Sequence, residues 1–116
     1  MTTEQALAEF AAAFGSGDVD AIMALMTGDV VFEATGPAPD GTRVAGADAV
    51  RQVWVSLFGD TAGAAFTTEE AFVAGDRGVL RWRFDWSGDE PGHVRGVDVL
   101  RFREGKVAEK LSYVKG

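Results

Sequence analysis

The chain has 116 residues, of which 47% are hydrophobic and 25% charged; this is the length and balance of one globular domain, 1–116, with no room for a second core. A formal net charge of −7 argues against a nucleic-acid or anionic-membrane partner. The absence of cysteine excludes disulfides, thiolate nucleophiles and Cys-based metal sites, and the single histidine, His93, leaves no multi-histidine site, so neither a metal nor a cofactor is expected. No apolar run approaches the roughly 20 residues of a spanning helix. The first residues, MTTEQALAEF, lack a signal-peptide pattern, which makes the cytoplasm the expected location.

In chain order, Leu7, Phe10, Ala11 and Phe14 recur at helical spacing, and Thr2 stands in capping-box register with Gln5. This helix is expected to stop at Gly15–Gly17. Asp18 then reads as the N-cap of a short second helix carrying Ile22, Leu25 and Met26 and closed by Gly28. A β-rich run follows at Val30–Ala34, then an irregular loop from Thr35 to Gly41. Val50, Val53, Trp54, Leu57 and Phe58 form the apolar stripe of a third helix, ending before Gly59.

From about Phe66 the period changes from helical to alternating. Turn signals at Gly75-Asp76, Ser87–Gly92 and Glu104-Gly105 divide the rest of the chain into three or four strands. In Val79–Trp86, Leu80, Trp82, Phe84 and Trp86 share one face, while Val79, Arg81, Arg83 and Asp85 share the other. Helices first and a strand meander later indicate an α+β domain in which three N-terminal helices cover one face of a curved, mainly antiparallel sheet. A three-residue turn at Arg103-Glu104-Gly105 would pair Phe102 with Lys106, Leu100 with Ala108 and Asp98 with Lys110. A two-residue turn would place Asp98 opposite Leu111 instead. In the first register Asp98, Leu100 and Phe102 share the covered face with Lys110, Ser112 and Val114.

Three stretches carry a resemblance to the SnoaL-like group of the nuclear transport factor 2-like superfamily: Gly17–Leu25, Gly46 ahead of the Trp54 helix, and Gly96–Val107. The resemblance implies a cone-shaped α+β barrel with a pocket between the helices and the concave sheet face, often assembled as a homodimer through the outer face. Ketosteroid isomerase, limonene epoxide hydrolase and the SnoaL polyketide cyclases share this layout. By resemblance, the oxyanion carboxyl of the isomerase falls on Asp98, its tyrosine on Phe10 and its base on Ala34, next to Glu33. The Arg-x-Asp spacing of the epoxide hydrolase is similar to Arg83-Phe84-Asp85, but with both charges on the outer face; its further Asp falls on Ser112. The cyclase acid/base Asp falls on Asp98, and His93 is no match for the cyclase histidine.

Asp98 is therefore the candidate catalytic residue. A carboxylate enclosed by Leu80, Trp82, Phe84, Trp86 and Leu100 would lose hydration, which favours a proton donor or base; an ion pair with Lys110 would instead hold it as a structural carboxylate. Trp54, Phe10, Phe32, Trp82, Phe84, Trp86, Leu100, Lys110 and Ser112 are the candidate ligand contacts, with core packing as the competing role for the aromatic residues. The outer arginines Arg81, Arg83, Arg101 and Arg103 read as a solvated or dimer-facing surface, His93 as an exposed loop residue and Glu33 as a surface charge. These residues describe a pocket for a small hydrophobic molecule, with cofactor-free proton transfer beside a carbonyl as the implied chemistry. The alternative is a non-catalytic ligand-binding or dimerising domain of the same fold.

Overall fold

The structure is a computed structural model that describes residues 1–116. Helices α1 (Thr3–Ser16), α2 (Val19–Ala24) and α3 (Ala47–Asp60) are interleaved with strands β1 (Met26–Glu33) and β2 (Arg43–Ala45). The long strands β3 (Ala65–Ala74), β4 (Arg77–Trp86), β5 (Gly92–Arg103) and β6 (Lys106–Val114) follow. They form one six-stranded sheet in the order β2-β1-β6-β5-β4-β3. Only β1 and β6 pair in parallel; every other neighbour is antiparallel.

The helix starts follow local chemistry. Thr2 and Gln5 make the reciprocal capping box of α1, and Asp18 accepts from the Ala21 N–H to open α2. Gly17 closes α1 in the left-handed conformation at φ 71°. The expected end of α2 at Gly28 is not met: the helix stops at Ala24, and Met26, Thr27 and Gly28 belong to β1. The cause is tertiary. The Val107 N–H donates to the Leu25 carbonyl at 2.8 Å, and Met26 pairs with Val107, so β6 draws this segment into the sheet. The third helix also runs two residues past its expected stop, to Asp60.

Strand β4 alternates as expected, with Leu80 and Trp82 buried and Arg81 exposed. The last hairpin departs from the expected register. Glu104 (φ 53°) and Gly105 (φ 76°) form a two-residue turn, which pairs Arg103 with Lys106 and Phe102 with Val107. Unrelieved, that turn would put Leu111 opposite Asp98. A bulge at Ala108 inserts one extra residue, so that Arg101 pairs with Glu109, Leu100 with Lys110 and Asp98 with Ser112. The shared covered face of Asp98, Lys110 and Ser112 is retained, although the direct partner of Asp98 is Ser112 rather than Lys110.

The core lies between α1, α3 and the concave sheet face, with Phe10, Ile22, Val30, Val50, Leu100 and Val107 all fully buried. Phe14 is its aromatic hub. Its ring centroid lies 4.9 Å from those of both Trp54 and Phe66, each edge-on, and 5.4 Å from that of Phe58. On the outer face the charges pair: Arg83 with Asp85, Arg95 and Arg81 with Glu69, Arg101 with Asp76, and Arg103 with Asp29. Glu33 likewise meets Arg43 at 2.8 Å across the β1–β2 pair. His93 is exposed, opposite Asp85, at the start of β5 rather than in a loop.

Hydrogen bonds from Arg103 and from the Thr27 hydroxyl hold the Asp29 carboxyl below its ordinary value of 3.8, and the Arg83 guanidinium does the same for Asp85. A carboxyl depressed in the folded state stabilises fully above its unfolded value and loses that contribution as pH falls through its folded one. The destabilisation of Arg103→Gln is therefore expected to be present at about pH 6 and to vanish as pH falls well below about 4. Urea midpoints of wild type and variant across that range test this; a constant difference would rule it out.

Candidate functional site

At the centre of the concave face, four side chains form a buried polar knot. Asp98 is 2% exposed, Lys110 5% and Ser112 8%, and Trp82 lies beside them at 7%. The Lys110 ammonium meets Asp98 Oδ2 at 3.0 Å and donates to Ser112 Oγ at 2.9 Å. Ser112 in turn donates to Asp98 Oδ1 at 2.6 Å, and the Trp82 indole N–H donates to the same oxygen at 3.0 Å. Asp98 thus accepts from three donors on two neighbouring strands, which offsets the hydration it loses by burial.

Backbone features aim these groups. Gly96 pairs directly with Trp82, and a Cβ there would overlap the Trp82 ring and the Tyr113 carbonyl. Its bare backbone lets the indole lie across β5 toward Asp98, two residues further on. The Ala108 bulge returns Lys110 and Ser112 to the covered side.

Lys110 is also enclosed by aromatic rings. Its Nζ lies 4.9 Å from the Phe32 centroid, 5.1 Å from that of Phe14 and 5.3 Å from that of Trp54. All three rings line a cavity of about 250 Å³ between α1, α3 and the sheet, together with Trp82, Phe84, Lys110 and Ser112. Lys110 is the one charged residue of its wall. The Trp54 indole nitrogen is the single buried side-chain polar atom with no hydrogen-bond partner.

The sequence-derived candidates divide accordingly. Trp54, Phe32, Trp82, Phe84, Lys110 and Ser112 line the cavity. Phe10 and Leu100, expected at the ligand, are fully buried core residues away from its wall, displaced inward by close packing of α1 on the sheet. Trp86 is also absent from the wall; its indole packs over Gly92 and donates to the Glu90 carbonyl at 3.1 Å, beyond the helices. Asp98 stands one layer behind, since its three partners line the cavity and it does not. On its other side is a crevice of about 10 Å³, at the limit of a single water. Phe14, Val53, Leu57, Phe66 and Val94 are cavity residues not singled out from sequence as ligand contacts. Three of them lie on the helical stripes already recognised, where the signal for core and for pocket is the same.

A separate depression of about 320 Å³ lies on the outer sheet face beside Arg81, Arg95 and Tyr113, across the sheet from the polar knot. No group of His, Cys, Asp and Glu side chains is arranged to hold a metal ion, and no helix is long and apolar enough to cross a membrane.

The model of the SnoaL-like domain matches residues 7–110, nearly the whole fold and all of the knot except Ser112. The chain belongs to that family. Among solved structures, this SnoaL-like domain is similar to an NTF2-like protein of unknown function from Mesorhizobium loti, at 40% identity and a TM-score of 0.86, covering 98% of this chain and 91% of that one. It is also similar to a hypothetical protein from Catenulispora acidiphila with a ketosteroid isomerase-like fold, solved in complex with trimethylamine: 18% identity, TM-score 0.82, 97% and 86% covered. A protein of unknown function with a cystatin-like fold from Xanthomonas campestris aligns at 19% identity and a TM-score of 0.86, covering 100% of this chain and 92% of that one. At such identities the last two likenesses speak for the fold alone. No curated protein matches the chain.

Removing one member of a buried ion pair strands the other. Lys110→Met is expected to cost about 3–5 kcal/mol, and adding Asp98→Asn, which keeps an acceptor for Trp82, to restore a substantial part of it. Urea unfolding of the two single variants and the double variant measures the coupling; strictly additive losses would show that the pair is not energetically linked.

Proposed function

We propose that this SnoaL-like domain is a small-molecule pocket protein whose ligand is apolar and rests against Lys110 and Ser112. The observation that carries the reading is the cavity itself: largely aromatic and aliphatic walls, with a single cationic side chain on one side. Apolar enclosure with a few convergent polar groups is the usual character of a small-molecule site. At about 250 Å³ the cavity is at the small end for such sites, which favours compact ligands over extended ones.

For chemistry, this arrangement supports cofactor-free proton transfer next to a carbonyl of the ligand. Lys110 would meet the carbonyl oxygen with its remaining N–H, while Ser112 Oγ would take the carbon-bound proton as its own hydroxyl proton passes to Asp98 Oδ1. A specific observation favours the non-catalytic alternative. Phe10 and Ala34 occupy the positions where resemblance to the isomerase calls for a tyrosine and a base, and all three partners of Asp98 come from the protein itself. Ligand binding is common to both readings.

A thermal-shift panel of compact hydrophobic compounds tests the pocket. A ligand at about 100 times its Kd is expected to add roughly 2.7 kcal/mol of stability. Ala34→Trp, which fills the cavity from its wall, is expected to abolish the response. Absence of any response in the wild type would end the reading, and an equal response in the filled variant would move binding elsewhere.

A further inference from the structure

We propose that Lys110 is an amine nucleophile that captures a small apolar aldehyde or unhindered ketone as a Schiff base. The inference rests on the reading that the cavity admits compact apolar molecules, and it adds a covalent activity to it. The chain has three lysines, and Lys106 and Lys115 are exposed. Lys110 alone is buried, with its nitrogen about 5 Å from three rings that all line the cavity. Two of its three N–H directions are committed, one to Asp98 and one to Ser112. The remaining one has only cavity-lining aromatic groups for company.

The knot contains what imine formation requires. An ammonium is not a nucleophile, so its proton must first leave. Asp98 Oδ2, 3.0 Å away, accepts it within the existing contact. This converts a buried ion pair into a neutral pair, and loss of hydration lowers the cost of that exchange. The free amine then attacks the carbonyl carbon, forming the C–N bond while the C=O π pair moves to oxygen. Proton transfer from nitrogen to that oxygen gives a neutral carbinolamine. Asp98, directly or through Ser112, returns its proton to the hydroxyl; the C–O bond breaks, water leaves, and the nitrogen lone pair forms the C=N bond. The balance is one ammonium and one carbonyl compound giving one protonated imine and one water. The product cation faces the same Asp98 carboxylate as the ammonium did, so no new unpaired charge is buried. An amine ligand would meet a like charge at Lys110, and a carboxylate would leave the knot with an excess negative charge, so a neutral carbonyl compound is the class that fits.

The test uses the intact protein with benzaldehyde and cyanoborohydride, which reduces a Schiff base to a stable benzylamine. Peptide mass mapping reads the three lysines in one sample, with Lys106 and Lys115 as internal controls. Toluene and benzyl alcohol, which cannot form imines, report cavity occupancy by thermal shift. Labelling of Lys110 is expected to be at least about tenfold faster than of either exposed lysine, the advantage of an oriented, enclosed reaction. It is expected to fall in Asp98→Asn, which removes the acid that expels water from the carbinolamine, while toluene still stabilises that variant. If toluene binds but label is spread evenly or avoids Lys110, the inference fails and the pocket reading stands. Undiminished Lys110 labelling in Ala34→Trp would also overturn it, by showing access from outside the cavity. If neither occupancy nor selective labelling occurs, both readings fall together.

Discussion

The ion pair between Asp98 and Lys110 is the constraint around which the concave face is organised. Two opposite charges, each at most 5% exposed, sit among aromatic rings where either alone would be strongly unfavourable. They are tolerable because each is over-supplied with partners: a hydroxyl and an indole N–H complete the carboxylate, while a hydroxyl and three ring faces complete the ammonium. Such a knot contributes little net stability compared with a well-packed apolar replacement. Its consequence is positional. It fixes the spacing of β4, β5 and β6 and holds one cation on the wall of an otherwise apolar cavity.

Two unassuming residues make that geometry possible. Gly96 leaves room for the Trp82 indole to cross β5, and Ala108 supplies the extra residue that resets the facing of β6. Without the bulge, the two-residue turn at Glu104-Gly105 would present Leu111 and Glu109 to the helices. The apolar side of the cavity comes from Phe14 on α1, Val53, Trp54 and Leu57 on α3 and Phe66 on β3, together with Phe32, Trp82, Phe84 and Val94 on the inner strands. The charged and hydroxyl groups of Lys110 and Ser112 therefore come from β6, while the apolar wall is shared between the helices and the sheet. In a family whose fold recurs with little sequence identity, that division lets side chains change without disturbing the frame. Asp98 lies behind Lys110 in this chain, so the charge that faces the cavity is the lysine's and the carboxylate holds it in place.

The amino-acid sequence by itself determined the local features: the caps at Thr2 and Asp18, the helical stripes, and the alternation of β4 from Leu80 to Trp86. These depend on neighbours a few residues apart, where backbone geometry fixes which side chains share a face. The face of Asp98, Lys110 and Ser112 was legible for the same reason, as was the α+β layout. Tertiary structure alone decided the rest. The end of α2 was set by β6, which pairs with Met26 from 81 residues away in the chain. The hairpin register depended on a bulge that has no unique sequence signature, and the fate of Phe10, Leu100 and Trp86 on how closely α1 and α3 settle on the sheet. Core and pocket residues obey the same hydrophobic period. Only the gap left between packed helices and a curved sheet separates one from the other.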